Sequence, residues 1–396
     1  MNLFVAIICA SMLSRLGYQM ARSPVLPRFA EELGATPELV GFIVAASTIA
    51  GVFFKLPSGA LSDILGRKRM MVVGGLFFAV PPFFYPLIDD PASLLAIRFI
   101  HGFATAIFSP VAAAYVANLA EKGRGARLGW FSSANDVGAT AGPLLGGLVL
   151  FYTASFTATY LLVGILGVLT LLVVLFLPEP AATKTEPSTT FAAQARAFWQ
   201  GLREVMATPP VFIASGIEAV MYLGYGAFLG FLPIYARHLG LNDAEIALVL
   251  GAQLAAAMAA KPVAGRMSDR LGRKGVIVAG LALCVVSLPL IFRAGDFATL
   301  LALAPILGLG VAAVTPVTNA LIADLVVSRR LGAAMGVFGT IWDFGEAAGP
   351  ILAGYLIGTL GYAGTFDVIA IVIAVATIGL TVLVVDPSTA RRPPRG

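Results

Sequence analysis

Apolar residues in this chain occur in long runs, and short polar stretches separate one run from the next. A helix needs about 20 apolar residues to cross roughly 30 Å of hydrocarbon. The runs are continuously apolar, whereas the strands of a membrane barrel alternate polar and apolar positions over about 10 residues. The pattern therefore predicts about twelve transmembrane helices, at residues 3 to 21, 39 to 60, 69 to 88, 93 to 117, 126 to 151, 154 to 177, 209 to 236, 243 to 264, 274 to 292, 297 to 321, 332 to 356 and 361 to 385.

The composition agrees with an all-α integral membrane protein. The 396 residues are 59% hydrophobic and only 12% charged, and the mean hydropathy is +0.91, which is far above the range of water-soluble domains. The first run lacks a basic n-region and a small-residue cleavage site, so we expect a retained helix rather than a secretory signal. Cys9 and Cys284 lie in separate predicted helices without metal-ligand spacing, and both are predicted to be buried free thiols.

The positions of Lys and Arg predict the orientation of the chain. If the N-terminus is cytoplasmic, the outer loops hold only Arg22, Arg28, Arg237 and Arg293, and all other loop Lys and Arg residues lie on the cytoplasmic side. This asymmetry predicts that both termini are cytoplasmic. We expect a multi-pass protein of the plasma membrane, which is the inner membrane if the cell is Gram-negative. The same asymmetry accounts for the net charge of +5, so no nucleic-acid partner is predicted.

The chain contains an internal repeat. GALSDILGRKRMMVVGG at residues 59–75 reappears as GRMSDRLGRKGVIVAGL at 265–281, and GPLLGG at 142–147 reappears as GPILAG at 349–354. These offsets are 206 and 207 residues. The duplication predicts two pseudo-symmetric halves of six helices each, in parallel orientation, packed around an axis along the membrane normal with a central cavity between them.

The repeat also predicts the domain limits. We expect an N-terminal half at residues 1–177, a cytoplasmic linker at 178–208, a C-terminal half at 209–386 and a cytoplasmic tail at 387–396. Within the linker, the apolar residues of FAAQARAFWQGLREVM, residues 191–206, recur at helical spacing opposite polar residues, which predicts a helix lying on the inner leaflet.

The repeated loop resembles the motif between the second and third helices of the major facilitator superfamily. Its glycines permit a tight turn, and its Asp can accept from a helix N-terminus or a basic neighbour, which would form a latch that breaks when the halves rock. The alternative is that the charges only satisfy the positive-inside rule. Ile64 departs from the basic residue usual in the motif. The matching residues are Gly59, Asp63, Gly66, Arg67 and Lys68 in the first copy, and Gly265, Asp269, Arg270, Gly272, Arg273 and Lys274 in the second.

Two further segments extend the resemblance to the twelve-helix drug:proton antiporters of that superfamily. LAIRFIHGFATA resembles the fourth-helix motif through Arg98 and Gly102, with His101 where Gln is common. GWFSSANDVGATAGPLLGG resembles the fifth-helix antiporter motif, in which glycines allow close approach of another helix and a proline bends the helix. The matching residues are Gly129, Gly138, Gly142, Pro143, Gly146 and Gly147. The resemblance implies the major facilitator fold and favours export.

Four carboxylates lie near the middle of predicted helices. Asp136 and Asp343 match in the repeat, and Glu346 lies three residues beyond Asp343 on nearly the same face. Glu218 matches Ser11, so packing symmetry does not require it. A charged carboxylate facing lipid costs several kcal/mol, so each must face the cavity, pair with a cation or hold a proton. All four are proton-coupling candidates, and the alternative is a fixed ion pair that holds helices together.

Other polar and aromatic side chains inside the predicted helices are candidates for the cavity. Arg98 matches Ala304 in the repeat and therefore belongs to one half only. These side chains can bind an anionic substrate, relay protons or pair with a carboxylate, and the aromatic ones suit a permissive apolar site. They are Arg15, Arg98, His101, Asn135, Tyr222 and Trp342.

The sequence therefore predicts a secondary active transporter that exchanges protons for drug-like or amphipathic small molecules by alternating access. No nucleotide-binding P-loop and no enzymatic constellation is visible. We expect no cofactor other than the coupling proton, no metal, and a functional monomer in the bilayer. One alternative is a carrier of a small organic anion, with Arg15, Arg98 and His101 as its clamp. A second is a membrane sensor that binds a ligand without moving it.

Overall fold

The computed structural model describes residues 3–119, 124–179, 196, 199–200, 202–203, 206, 208–326 and 331–383. Nearly all of these residues are helical. The first part of the chain forms α1 (Leu3–Arg22), α2 (Val25–Glu32), α3 (Pro37–Leu65), α4 (Arg67–Ala79), a 3₁₀ segment (Pro81–Leu87), α5 (Pro91–Asn118), α6 (Arg124–Thr153) and α7 (Phe156–Leu175). The second part forms α8 (Pro209–His238), α9 (Asp243–Leu271), α10 (Arg273–Ile291), α11 (Phe297–Leu325) and α12 (Leu331–Leu383).

The helices agree with the predicted membrane spans. Ten helices among the described residues are long and apolar enough to cross a bilayer. One of them, Met335–Leu383, contains two predicted spans, which Gly361 separates with a φ of 66°. The helix α6 is 30 residues long but is not among the ten, because Asn135, Asp136 and neighbouring small residues lower its hydropathy. The ten helices, the second predicted span within Met335–Leu383, and α6 together account for the twelve predicted helices.

Aspartate side chains cap the starts of two long helices. The Asp90 carboxylate accepts hydrogen bonds from the N–H groups of Ala92 (2.8 Å) and Ser93 (3.0 Å) at the start of α5. The Asp296 carboxylate accepts from the N–H of Thr299 (2.9 Å) at the start of α11. The hydrogen bonds with Ser93 and Thr299 hold the pKa of the respective carboxyls below their usual range. These caps occupy matching positions in the repeat.

Glycines on α6 bring it into close contact with α1. A Cβ atom added at Gly138 would lie 2.6 Å from the carbonyl oxygen of Met12, and one at Gly146 would lie 2.7 Å from that of Met20. Gly142 lies between these two glycines, and a Cβ atom added there would lie 2.7 Å from the Cβ of Gln19. The predicted glycine motif therefore forms a helix-packing ridge. Pro143 lies inside α6, and Gly147 packs beside Pro24.

The matching glycines of α12 approach α8 more closely still. A Cβ atom added at Gly345 would lie 2.1 Å from the carbonyl oxygen of Ala219, and one added at Gly349 would lie 2.0 Å from the carbonyl oxygen of Leu223. Real Cβ atoms never approach a carbonyl oxygen so closely. The two helix pairs therefore repeat the same mode of packing in the two halves.

The contacts of the chain divide it into two compact units. One contains residues 1–195 with 242–247, and the other contains residues 196–241 with 248–396. The exact limits 1–177 and 209–386 stay a prediction. The predicted tail at 387–396 and most of the predicted interfacial helix at 191–206 lie outside the described residues.

One of the two predictions for cysteine is wrong. Cys284 is buried as predicted, but Cys9 is exposed. The buried residues of α1 include Ala6, Ile7 and Ala10, and at 100° per residue Cys9 falls well outside that stripe. Helical position, rather than the apolar character of the run, decides its exposure.

Candidate functional site

Each unit contains a charged side chain that is buried without a hydrogen bond. Arg98 in α5 is 0% exposed, and its Nε, Nη1 and Nη2 atoms have no hydrogen-bond partner among the described residues. Glu218 in α8 is also 0% exposed, and the same holds for its Oε1 and Oε2 atoms. Both residues are candidates from the sequence. A buried charge without a partner is costly, so each is a departure from ordinary packing.

The Arg98 side chain is surrounded by aromatic rings. Its guanidinium carbon lies 4.8 Å from the centre of the Tyr18 ring of α1, which is the geometry of a cation–π contact. His101, one helical turn further along α5, packs edge-to-face against the same ring with centroids 5.3 Å apart. A desolvated cation–π contact contributes about 2 kcal/mol, which is less than the several kcal/mol that burying an ion costs.

Two tyrosines complete this arrangement. The Tyr85 hydroxyl, in the 3₁₀ segment, lies 3.1 Å from Nδ1 of His101 and beside the guanidinium of Arg98 without meeting hydrogen-bond geometry to it. The Tyr85 ring stacks on Tyr160 of α7 with centroids 4.0 Å apart. Nε2 of His101 and the Tyr160 hydroxyl are buried without a hydrogen-bond partner among the described residues. We call Tyr18, Tyr85, Arg98, His101 and Tyr160 the Arg98 cluster.

A cavity adjoins the Arg98 cluster. Its volume is about 260 Å³, and Tyr85 and Tyr160 both belong to its wall. Phe29 and Phe156 also line it, and Glu32 supplies its acidic group. The two stacked tyrosines are therefore shared between the cavity and the buried guanidinium.

Glu218 lies in a different environment in the second unit. The hydroxyl groups of Thr315 and Thr318 on α11 face its carboxyl group without forming hydrogen bonds of good geometry. The Thr318 hydroxyl instead donates to the carbonyl oxygen of Val314, at 3.0 Å. The Tyr222 hydroxyl, one turn further along α8, lies 3.4 Å from Oγ1 of Thr315.

An aromatic pair lies next to Glu218. The rings of Tyr222 and Trp342 stack with centroids 4.8 Å apart. The indole Nε1–H of Trp342 donates to Oδ1 of Asp343 at 2.8 Å, and Asp343 is only 5% exposed. This arrangement combines a flat apolar surface with two buried carboxyl groups.

The other sequence candidates lie in less buried positions. Asp136 and Glu346 are half-buried, in contrast to Glu218 and Asp343. The side-chain amide of Asn135 donates to the carbonyl oxygen of Phe131 in its own helix, at 2.8 Å. Arg15 is also half-buried and flanks the contact between α1 and α6.

The first copy of the loop motif forms a network at the junction of α3 and α4. Gly66 makes the turn with a φ of 99°, a conformation that favours glycine. Nη2 of Arg67 lies 3.4 Å from Oδ1 of Asp63. The Glu179 carboxylate accepts hydrogen bonds from the N–H groups of Arg67 (2.7 Å) and Lys68 (3.2 Å), so it caps the N-terminus of α4. Gly59 contributes its carbonyl oxygen, which accepts from the Ser62 hydroxyl at 2.7 Å.

The second copy repeats the turn and the ion pair. Gly272 has a φ of 102°, and Nη1 of Arg273 lies 2.6 Å from Oδ1 of Asp269. The cross-helix partner differs, because Nε of Arg273 lies 3.3 Å from Oδ2 of Asp324, whereas Nη1 of Arg67 donates to the carbonyl oxygen of Ala114. Both networks place the motif residues where they connect three helices.

Several of these residues were not found from the sequence. Tyr85, Tyr160, Thr315 and Thr318 are isolated within apolar segments and belong to no motif. Glu179 precedes a proline just after an apolar run, which carries no specific signal. Only the helix packing identifies them.

Comparisons with known protein families and relatives agree with this architecture. The family described as Major Facilitator Superfamily matches residues 7–218 and 214–396. Multidrug resistance protein 1 of Bacillus subtilis (strain 168) is 25% identical over 365 residues, which cover 89% of this chain and 90% of that protein. Quinolone resistance protein NorA of Staphylococcus aureus (strain COL) is 23% identical over 339 residues, which cover 84% of each.

Solved structures confirm the predicted fold class. The nucleoside transporter NupG superimposes with a TM-score of 0.74 at 16% identity, over 96% of this chain and 98% of that chain. The human organic anion transporter MFSD10 superimposes with a TM-score of 0.69 at 17% identity, over 96% and 98%. At these identities the likeness concerns the fold alone.

Proposed function

The chain belongs to the major facilitator superfamily, and on this premise we propose that it exports drug-like, amphipathic small molecules in exchange for protons. It is a multi-pass membrane transporter of small molecules and not an enzyme. Export of drugs is supported by the relatives named as multidrug and quinolone resistance proteins, which match most of the chain.

The observation that carries the proton-coupling proposal is the burial of Glu218. Its carboxyl group is 0% exposed and has no hydrogen-bond donor of good geometry among the described residues. An ionised carboxylate in such a place costs several kcal/mol, so the group is stable there as the neutral acid. A conformation that hydrates Glu218 would release the proton. Two conformations that differ in proton affinity supply the coupling required for exchange.

The neighbourhood of Glu218 also suits an amphipathic substrate. The stacked rings of Tyr222 and Trp342 offer an apolar surface one helical turn from the carboxyl group. When Glu218 is ionised, a lipophilic cation on that surface would gain an ion pair, and when Glu218 is protonated that attraction disappears. Proton uptake would therefore release the substrate.

The remaining features of the proposal are expectations carried over from the sequence. The proton is the coupling ion, no other cofactor is needed, and a single chain is the functional unit. The distribution of Lys and Arg supports a plasma-membrane location with both termini in the cytoplasm. Asp136, Asp343 and Glu346 remain further candidates for protonation.

The proposal is tested by proton flux in proteoliposomes. Purified full-length protein is reconstituted with a pH-sensitive dye in the lumen, a pH gradient is imposed, and lipophilic cations, neutral drugs and small anions are added in turn. We expect several unrelated lipophilic compounds to evoke flux in the wild type. Glu218→Gln should lower that flux at least about tenfold, because it removes the titrating group at nearly constant shape. The matched control is Glu38→Gln, at the start of α3, which should retain the flux.

Other outcomes would redirect the proposal. Flux evoked by one small anion alone would favour a substrate-specific carrier. Flux that persists in Glu218→Gln but is lost in Asp136→Asn would assign the coupling to Asp136. Substrate binding without any flux would identify a sensor that does not transport.

A further inference from the structure

The Arg98 cluster contains an excess of hydrogen-bond donors. The guanidinium has five N–H groups, and none of its three nitrogens has a hydrogen-bond partner among the described residues. The hydroxyl of Tyr160 and Nε2 of His101 also lack partners there. The unsatisfied polar atoms of the cluster thus belong to side chains of α5 and α7, which are buried.

The charged side chains that act electrostatically on the tyrosines of the cluster are cationic, and the one acidic group of the adjoining cavity, Glu32, is not among them. The described groups that interact electrostatically with its tyrosines are Arg98 itself, Arg22 and other tyrosines, together with the hydroxyls of Ser47 and Thr105. None of these groups is a carboxylate. The face of the Tyr18 ring lies 4.8 Å from the guanidinium carbon, and this contact compensates a buried cation only in part.

We infer that the Arg98 cluster is a binding site for a small monovalent anion, either a halide ion or the carboxylate group of a small organic acid. A guanidinium binds such an anion through two parallel N–H groups, and the Tyr160 hydroxyl supplies a further donor. A monoanion neutralises the single charge of Arg98, whereas a dianion would leave one negative charge buried. The surrounding rings of Tyr18, Tyr85 and Tyr160 favour a compact group.

The adjoining cavity provides the route of entry. Its volume of about 260 Å³ exceeds the roughly 30 Å³ share of a water molecule several-fold, so it has room for a small organic acid. The stacked rings of Tyr85 and Tyr160 line this cavity and also belong to the Arg98 cluster. Rotation of either ring would connect the two.

Thermal unfolding of the purified full-length protein in detergent tests this inference. Sodium sulfate is exchanged stepwise for sodium chloride, acetate or benzoate at constant ionic strength. We expect the apparent melting temperature to rise saturably. A response to chloride alone identifies an inorganic ion, a response to the carboxylates alone identifies an organic acid, and a response to both indicates a general monoanion site. No saturable response to any of the three would overturn the inference.

Three variants separate specific binding from a general salt effect. Arg98→Met removes the charge, so it should melt at or above the wild-type temperature in sulfate and lose at least about tenfold in anion affinity. Tyr160→Phe keeps the stacked ring, and its loss of one donor should weaken binding about two- to tenfold. Tyr115→Phe is the matched control, because the hydroxyl of this buried tyrosine in the same half donates to the carbonyl oxygen of Pro178.

A saturable response that persists in Arg98→Met, or an equal loss in Tyr115→Phe, would contradict the anion site. The experiment measures binding and does not involve drug transport. Failure of the proposed drug:proton exchange would therefore leave this result unchanged, and the reverse also holds.

Discussion

The two halves of the molecule bury charges of opposite sign at positions that do not correspond. Arg98 of the first half matches Ala304, which is 0% exposed, and Glu218 of the second half matches Ser11, which is 1% exposed. A small uncharged residue thus fills the same place in the other half. The fold therefore does not require a charge at either position, and packing alone does not explain why Arg98 and Glu218 are present.

The features that do repeat concern structure. Both halves contain the glycine turn with its Asp–Arg pair, an Asp cap at the start of a long helix, and a glycine ridge between two helices. We propose that these repeated features maintain the scaffold, whereas the two unrepeated charges, Arg98 and Glu218, serve anion binding and proton coupling. The following predictions test that division, from the largest expected effect to the smallest.

Substitution in the glycine ridges should prevent folding in either half. Gly349→Leu places a Cβ 2.0 Å from the carbonyl oxygen of Leu223, and Gly142→Leu places one 2.8 Å from that of Leu16. We expect a loss of more than about 4 kcal/mol for Gly349→Leu, with a smaller loss for Gly142→Leu. The fraction of monodisperse protein on size-exclusion chromatography measures this. Gly336→Leu, where an added Cβ meets nothing within 4 Å, is the control.

Replacement of Glu218 by serine, the residue at the matching position 11 of the first half, should lower transport activity without lowering stability. Glu218→Ser should fold and melt at or above the wild-type temperature, because it removes a buried group without a partner. Proton flux driven by lipophilic compounds should fall at least about tenfold. Normal flux in this variant would mean that the unrepeated carboxyl group has no part in coupling.

The two loop networks should differ in strength. The Arg273 guanidinium contacts two carboxylates, those of Asp269 and Asp324. The Arg67 guanidinium contacts one carboxylate, that of Asp63, and donates to the carbonyl oxygen of Ala114. Each partly exposed ion pair contributes about 1 kcal/mol or less. We therefore expect Arg273→Ala to lower the melting temperature more than Arg67→Ala, and this difference should shrink at high salt. Equal losses at low salt would contradict this assignment.

The helix caps should give the smallest effect and an equal one in both halves. The folded pKa values of Asp90 and Asp296 lie below the ordinary value of about 3.9. Their stabilisation is therefore complete above that pH and is lost as the pH falls through the folded pKa. Asp90→Asn and Asp296→Asn retain a capping oxygen and should each remove part of the acid-dependent loss of stability. Melting temperatures measured between neutral and acidic pH check this.

Much of the fold was predictable because the bilayer makes local demands. A run of about 20 apolar residues must become a spanning helix whatever its neighbours are. The repeat offset of 206 or 207 residues then relates the two halves. The loop motif, the glycine ridge of α6 and the candidate status of Arg98 and Glu218 were likewise visible in the sequence.

Tertiary structure decided which candidates are buried and what surrounds them. Asp136 and Asp343 match in the repeat, yet Asp343 is 5% exposed and Asp136 is half-buried. Cys9 is exposed although its run is apolar.

The sequence alone thus determined the spans, the duplication and the family. Only the tertiary structure identified Tyr85 as the neighbour of His101 and Tyr160 as the ring stacked on Tyr85. It also showed that Arg98 and Glu218 have no side-chain hydrogen-bond partner among the described residues. The physical reason is that span formation depends on the hydrophobicity of one segment, whereas burial and polar pairing depend on which helices pack against that segment. Those contacts join residues far apart in the chain, and no local pattern encodes them.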